Sequence, residues 1–287
     1  MKILLPILVC PILLLAAFCT RHVVNSPQIK TNNGLKGTVK SVFIYSYDSA
    51  KRGSQIDSDW TGKIIEIYNI KGKTTANYFQ NKTGAPVAMF FHYDNDGREI
   101  DNTDASGKQH SKSEYSISPA GNLIQKMSYS PKDWLIIIYN KLEQRDTECL
   151  YVDGGVLISK TIYHYDSNNN LKEQIKIKSD NSIGYREEFT YDKNHNMISG
   201  TRYDRDGNLK SGLHFTYDKY GNIIMQADSN NFYRSDLDPY DNLRDGRLYI
   251  EAFAYSIIDK NGNWLHKDIL VNGVAIRTVK RKIEYYK

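Results

Sequence analysis

Phe189-Thr190-Tyr191-Asp192-Lys193-Asn194-His195-Asn196-Met197 is one copy of the unit that decides the fold. The order is an aromatic, any residue, Tyr, Asp, two residues, Gly or Asn, Asn, then an apolar residue; here His195 stands at the Gly position. Tyr163-His164-Tyr165-Asp166 through Leu171, Thr201-Arg202-Tyr203-Asp204 through Leu209, and Phe215-Thr216-Tyr217-Asp218 through Ile223 repeat it. Looser copies run from Phe91, Tyr115 and Ile258, and Tyr45-Ser46-Tyr47-Asp48 keeps only the first half. Each copy reads as a β-hairpin. Aromatics two apart share one face of a strand. The Asp opens the turn by accepting backbone amides, and Gly or Asn takes the left-handed conformation that closes it. His tolerates that conformation as Asn does.

The spacing turns the unit into an architecture. Tyr165, Tyr191 and Tyr217 are 26 apart, with Tyr203 falling 12 after Tyr191 and 14 before Tyr217. A short strand and a turn fill that interval, and an intervening helix does not fit. Val152-Asp153-Gly154-Gly155-Val156 and Val271-Asn272-Gly273-Val274 add two strong hairpin signals. The fold class expected is all-β, a repetitive antiparallel β-hairpin meander forming an elongated or curled twisted sheet, a partial shell at most. Composition agrees: 22 Tyr, 24 Asn and 23 Asp against 10 Glu and 12 Ala favour strands and turns over helices. The array is expected over residues 35–252, with an irregular insertion at 228–248 where the periodicity breaks. Residues 253–287 form a hairpin end piece, and 20–34 a linker.

Residues 1–19 read as an export signal: Lys2, then an apolar run from Ile3 to Phe18 interrupted by Pro6 and Pro11. Cleavage after Cys19 is the plain secretory reading. Lipid attachment at Cys19 and an uncleaved anchor are the alternatives, the latter disfavoured by the short run and its prolines. Cys10 and Cys19 belong to the signal, which leaves Cys149 without a disulfide partner in the mature chain. The net charge of +5, with Lys and Arg scattered, argues against a nucleic-acid partner.

No short motif fixes a catalytic site. Asp166-Ser167-Asn168-Asn169-Asn170 offers oxygens as a calcium loop would, but Leu171 and Ile177 stand where Gly and Glu are needed. No metal or cofactor is expected. The repeated tyrosines read first as a cross-strand ladder. The aromatics outside that register are the ligand-binding candidates: Trp60, Trp134, Trp264, and Phe232, Tyr233 and Tyr240 of the insertion.

The copies resemble the YD repeats of the RHS family, whose pattern runs roughly G-x-x-x-R-Y-x-Y-D-x-x-G-N-L. Gly200-Thr201-Arg202-Tyr203-Asp204 through Leu209, and Phe215 to Ile223, carry the match best. The resemblance covers most of residues 90–265 and is sharpest over 160–225. It implies export or surface association and a carbohydrate-binding role; in large members it implies a β-shell around a toxin domain. Here the hairpins read from the sequence are too few to close a shell and no toxin domain is evident after them, so the chain is most similar to small exported YD-repeat proteins of bacterial envelopes. Asp238-Pro239-Tyr240-Asp241-Asn242-Leu243 is a distant match to the family's self-cleavage element; it lacks the Gly and reads as an ordinary turn.

The function expected is therefore an exported, non-enzymatic binding or scaffolding module. Its partner is a glycan first and an envelope protein second, and membrane contact comes only through the signal or a lipid anchor. The alternatives are a toxin-associated processing or hydrolytic domain, and a structural array whose exposed sheet edge pairs with another chain.

Overall fold

The computed structural model describes residues 35–48, 60–81, 84–229, 249–271 and 273–287. Eighteen strands account for most of them. They are β1 (Val39–Asp48), β2 (Trp60–Tyr68), β3 (Thr74–Asn81), β4 (Val87–Tyr93), β5 (Glu99–Asp104), β6 (Gln109–Ile117), β7 (Leu123–Ser128), β8 (Trp134–Tyr139) and β9 (Arg145–Val152). The second half comprises β10 (Val156–Tyr165), β11 (Leu171–Lys178), β12 (Ile183–Tyr191), β13 (Met197–Asp204), β14 (Leu209–Tyr217), β15 (Ile223–Ser229), β16 (Tyr249–Ile258), β17 (Trp264–Val271) and β18 (Val274–Tyr285).

Every strand pairs antiparallel with the one before and the one after it, and β1 pairs with β18. The all-β hairpin meander holds, but the sheet is a closed barrel rather than a partial shell. The sequence undercounts the hairpins because the far-end turns and the first strands carry little of the repeat. Closure also removes the free edge on which pairing with another chain would depend, so that reading is corrected too. Eighteen strands about 4.8 Å apart make a wall at least about 86 Å around, or about 27 Å across if circular, and wider with tilt.

The turns follow the repeat. In each of the 166–170, 192–196 and 218–222 turns the Asp Oδ1 accepts the amides two and four residues on, at 2.8–2.9 Å. The closing Asn donates back to the other carboxylate oxygen at 2.9–3.0 Å. The left-handed position is taken by Asn169, by His195 at φ 63°, and by Gly221 at φ 81°. A register shift beside each Tyr marks the bulge that such a turn imposes. The Asp-Gly and Asn-Gly signals connect β9 to β10 and β17 to β18.

These turns lie at one end of the barrel, where a second device locks neighbouring hairpins together. The Tyr165, Tyr191 and Tyr217 hydroxyls donate to the Arg145, Leu171 and Met197 carbonyls at 2.8, 2.9 and 2.6 Å. Tyr93 and Tyr255 do the same to Thr74 and Ile223. Each Tyr thus ties its strand to the start of the strand before it. The repeated tyrosine is structural because of its hydroxyl as well as its ring.

Register alone assigns the two faces. Paired residues share a face, and following the pairs around the ring brings each face back to itself. One face holds Phe189, Leu213, Phe215, Glu187, Gln125 and Ile137, all buried or half-buried; the other holds Lys112, Glu114, Lys126, Thr190 and His214, all exposed. In a closed ring the enclosed face is the inner one. The outer face carries Lys or Glu at the middle of many strands. A lipid-facing barrel would lose about 2–4 kcal/mol for each Lys or Arg at the bilayer midplane, so the outside of this wall is built for water.

The wall is one layer thick. Among the described residues two hydrophobic clusters, one of Leu35, Val39, Val42 and Tyr68 and one built on Leu213 and Phe215, each span adjacent strands. Extended backbone contact occurs only between ring neighbours.

Candidate functional site

The interior is layered because the repeat is. Nearest the Asp-turn end stand the tyrosines that precede each Asp, and next the aromatics two residues earlier, such as Phe91, Tyr163, Phe189 and Phe215. Directly across from these aromatics, and on from them toward the far end, comes a polar belt. The strands that enter an Asp turn supply the rings, and the strands that return from it supply amides: Gln125 on β7, Gln174 on β11 and Gln226 on β15 all face inward.

The belt's side chains hold one another. Glu187, 3% exposed, accepts from Arg202 Nε at 2.7 Å, pairs with the same guanidinium again at 2.5 Å, and accepts from Gln174 on the other side. The Arg202 guanidinium lies 4.9 Å from the Tyr185 ring centre. Glu148 pairs with Arg145 at 3.1 Å and accepts the Tyr163 hydroxyl at 3.2 Å. Gln125 donates to Ser113 Oγ at 3.0 Å and accepts the Tyr139 hydroxyl at 2.6 Å. Asn102 donates to Ser111 Oγ, and the Tyr68 hydroxyl to Glu66.

Burial sets the protonation of the ring layers. It pushes the Tyr115 and Tyr165 phenols up to about 12, and raises Tyr93 and Tyr163 as well. These hydroxyls therefore stay donors at any ordinary pH. Burial also raises the Glu99 carboxyl at the start of β5. Among the described residues no group of three or more His, Cys, Asp or Glu converges as a metal site would require.

The aromatics singled out from the sequence are not brought together. Trp60 opens β2, paired with Tyr47 of β1. Trp134 opens β8 on the outer face at the far end, stacked on Tyr151 at 5.7 Å and 22°, with the Lys126 ammonium 4.7 Å from its ring. Trp264 is 7% exposed, packed against Tyr255 with the Arg281 guanidinium 3.4 Å and the Lys267 ammonium 4.7 Å from its ring. It is part of the inner wall. Phe232, Tyr233, Tyr240, Cys19 and the Asp238-Pro239 step lie outside the described residues. Cys149 is half-buried, and burial pushes its thiol up.

The polar belt itself escaped the sequence reading. A signal for it exists: Gln174 and Gln226 each stand three residues after the apolar residue that starts the return strand, Leu171 and Ile223.

Comparison with known proteins adds the following. A family model described as "Uncharacterised protein" matches residues 130–229. No curated protein matches. Among solved structures, a complex described as TcdB2-TccC3-Cdc42 is similar at 16% identity and TM-score 0.38, over 77% of this chain and 12% of that one. The chain thus spans about an eighth of that protein. A porin-like protein from Bacteroides uniformis ATCC 8492 is similar at 11% identity and TM-score 0.45, over 90% of this chain and 100% of that one.

Proposed function

We propose that the protein is a non-enzymatic binding barrel, exported to the bacterial envelope or exterior, whose interior receives a glycan. The observation that carries this reading is the junction inside the wall between the ring layers and the polar belt. A sugar presents C–H faces that stack on aromatic rings, and hydroxyls that donate and accept at once. Rings beside amides, carboxylates and guanidinium groups answer both demands. The belt residues are fixed by each other before any ligand arrives, so little ordering cost falls on binding.

The same pairing disfavours hydrolysis. Glu187 and Glu148 are each engaged by an arginine within the wall, so their oxygens are already occupied rather than presented as a free pair of carboxyls flanking a glycosidic bond. A glycan array and a pull-down with the chain lacking residues 1–19 test the proposal. Binding to a defined glycan class, lost on Arg202→Ala, is the expected result. A specific protein partner with no glycan binder overturns the glycan reading, and a mass change at Asp238-Pro239 or turnover of a glycan overturns the non-enzymatic one.

A further inference from the structure

The outer face of the wall is not evenly polar. Over β7 to β11 register sets two apolar rows side by side across the strands. One runs Ile124, Ile138, Thr147, Ile162, Ile175, and the other Lys126, Ile136, Cys149, Lys160, Ile177. Trp134, stacked on Tyr151, starts a third row toward the far end. Ile158 and Ile183, 43% and 42% exposed, extend the apolar margin there. By contrast, the same face of β13 and β14 carries Ser199, Thr201, Gly212, His214 and Thr216. With strands about 4.8 Å apart and rows about 6.8 Å apart, the β7–β11 sector covers roughly 400 Å². An apolar patch of that size marks a contact surface, and among the described residues no strand packs over it.

Charge narrows the partner. The acids at the margins are answered locally: Glu114 by Lys112 at 2.8 Å, and Glu173 and Glu188 by Arg186 at 3.7 and 3.3 Å. The two lysines inside the sector are not. Lys126 and Lys160 stand in no ion pair among the described residues, and the Lys126 ammonium lies over the Trp134 ring. A lysine stem can lie along isoleucines while its ammonium reaches an anionic group above them. The complement of this surface is apolar close in and negatively charged just beyond. Trp134 and Tyr151 stand at its edge, and such amphipathic rings settle at the level of lipid headgroups.

Shape narrows it further. Five of eighteen strands take up more than a quarter of a closed ring, so the sector is convex. A rigid flat partner would touch only its crest, whereas a fluid lipid surface moulds to it. We infer that β7–β11 dock the barrel side-on, at headgroup depth and without spanning, on an anionic phospholipid surface. Lysines at mid-strand forbid the hydrocarbon core but suit that depth. The contact uses the outside of the wall, needs neither the signal nor a lipid at Cys19, and is independent of the glycan reading of the interior.

The test floats the chain lacking residues 1–19 with vesicles of phosphatidylcholine alone and of phosphatidylcholine with phosphatidylglycerol. The mixed vesicles bind it at least about fivefold more tightly than the neutral ones, the factor expected from a single lysine at an anionic surface. Lys126→Gln with Lys160→Gln removes most of that preference, and Ile136→Gln with Ile162→Gln weakens binding about tenfold or more. Acyl chains brominated near the headgroup quench tryptophan emission, and Trp134→Phe abolishes the quenching while binding persists. Absence of binding to the mixed vesicles overturns the inference, as does quenching that survives Trp134→Phe. Equal affinity for the two kinds of vesicle overturns the assignment to anionic lipid. A dimer seen by sedimentation without vesicles, and dissolved by Ile136→Gln with Ile162→Gln, assigns the sector to a second copy of the chain instead. Circular dichroism on each variant separates loss of binding from loss of fold.

Discussion

Replacing Tyr165, Tyr191 and Tyr217 by Phe, singly and together, removes the hydroxyls that tie successive hairpins and leaves the rings in place. Each hydroxyl spans 2.6–2.9 Å to a carbonyl of the preceding strand. A hydrogen bond of this kind contributes about 0.5–1.5 kcal/mol net, so each single variant should lose about 1 kcal/mol. The three sites lie two strands, about 10 Å, apart from one to the next, far enough for their effects to add. The triple variant should therefore lose about 3 kcal/mol, and a melting midpoint should drop by about 6–12 °C. Urea unfolding followed by far-ultraviolet circular dichroism measures this, with the slope expected to stay constant because the buried surface is unchanged. Tyr203→Phe is the internal control: Tyr203 belongs to a copy of the same repeat, but its hydroxyl makes no hydrogen bond among the described residues. A triple variant within about 1 kcal/mol of wild type, or a control as costly as a single variant, would refute the tie.

Alkaline pH should act on the same layer. Tyr115 and Tyr165 ionise near 12 in the fold, against an ordinary value of 10.0, because burial disfavours the phenolate. The unfolded chain thus releases protons first, so stability is intact below about pH 10 and falls from there toward 12, which ultraviolet titration with urea melts at each pH will show. Arg202→Ala strands the Glu187 carboxylate, 3% exposed, and should cost about 3–5 kcal/mol. Arg202→Met with Glu187→Gln should recover most of that loss in the same denaturation assay. Gly221→Ala, at φ 81°, should cost about 1–2 kcal/mol, whereas Glu143→Gly, at φ 58°, should gain about 0.5 kcal/mol.

The hairpins were legible in the sequence because their determinants are local. An Asp accepting amides two and four residues on, and a left-handed residue at a fixed offset, need no distant partner. Tyr203 shows the limit of that logic: by pattern it matches Tyr191 and Tyr217, yet its turn lies at the opposite end, and register puts Arg202 inside and Tyr203 outside. Closure was not legible, since pairing Ser41 with Glu284 depends on how far eighteen strands curl and leaves no trace in either segment. The interior belt was missed because polar residues inside a strand look like solvent-facing ones until the faces are known.

The seam between β1 and β18 also sets a timetable. A chain made or exported from its N-terminus presents β1 first and β18 last, so β1 waits with one side unpaired until almost everything else has emerged. Local hairpins can form early, but sealing the ring is a late, long-range event and the step most exposed to misassembly. A circular permutant that joins the Lys287 end to Leu35 and opens the chain at Gly154-Gly155 would make the seam a local hairpin, moving the slow step to the β9–β10 pair without altering the finished barrel.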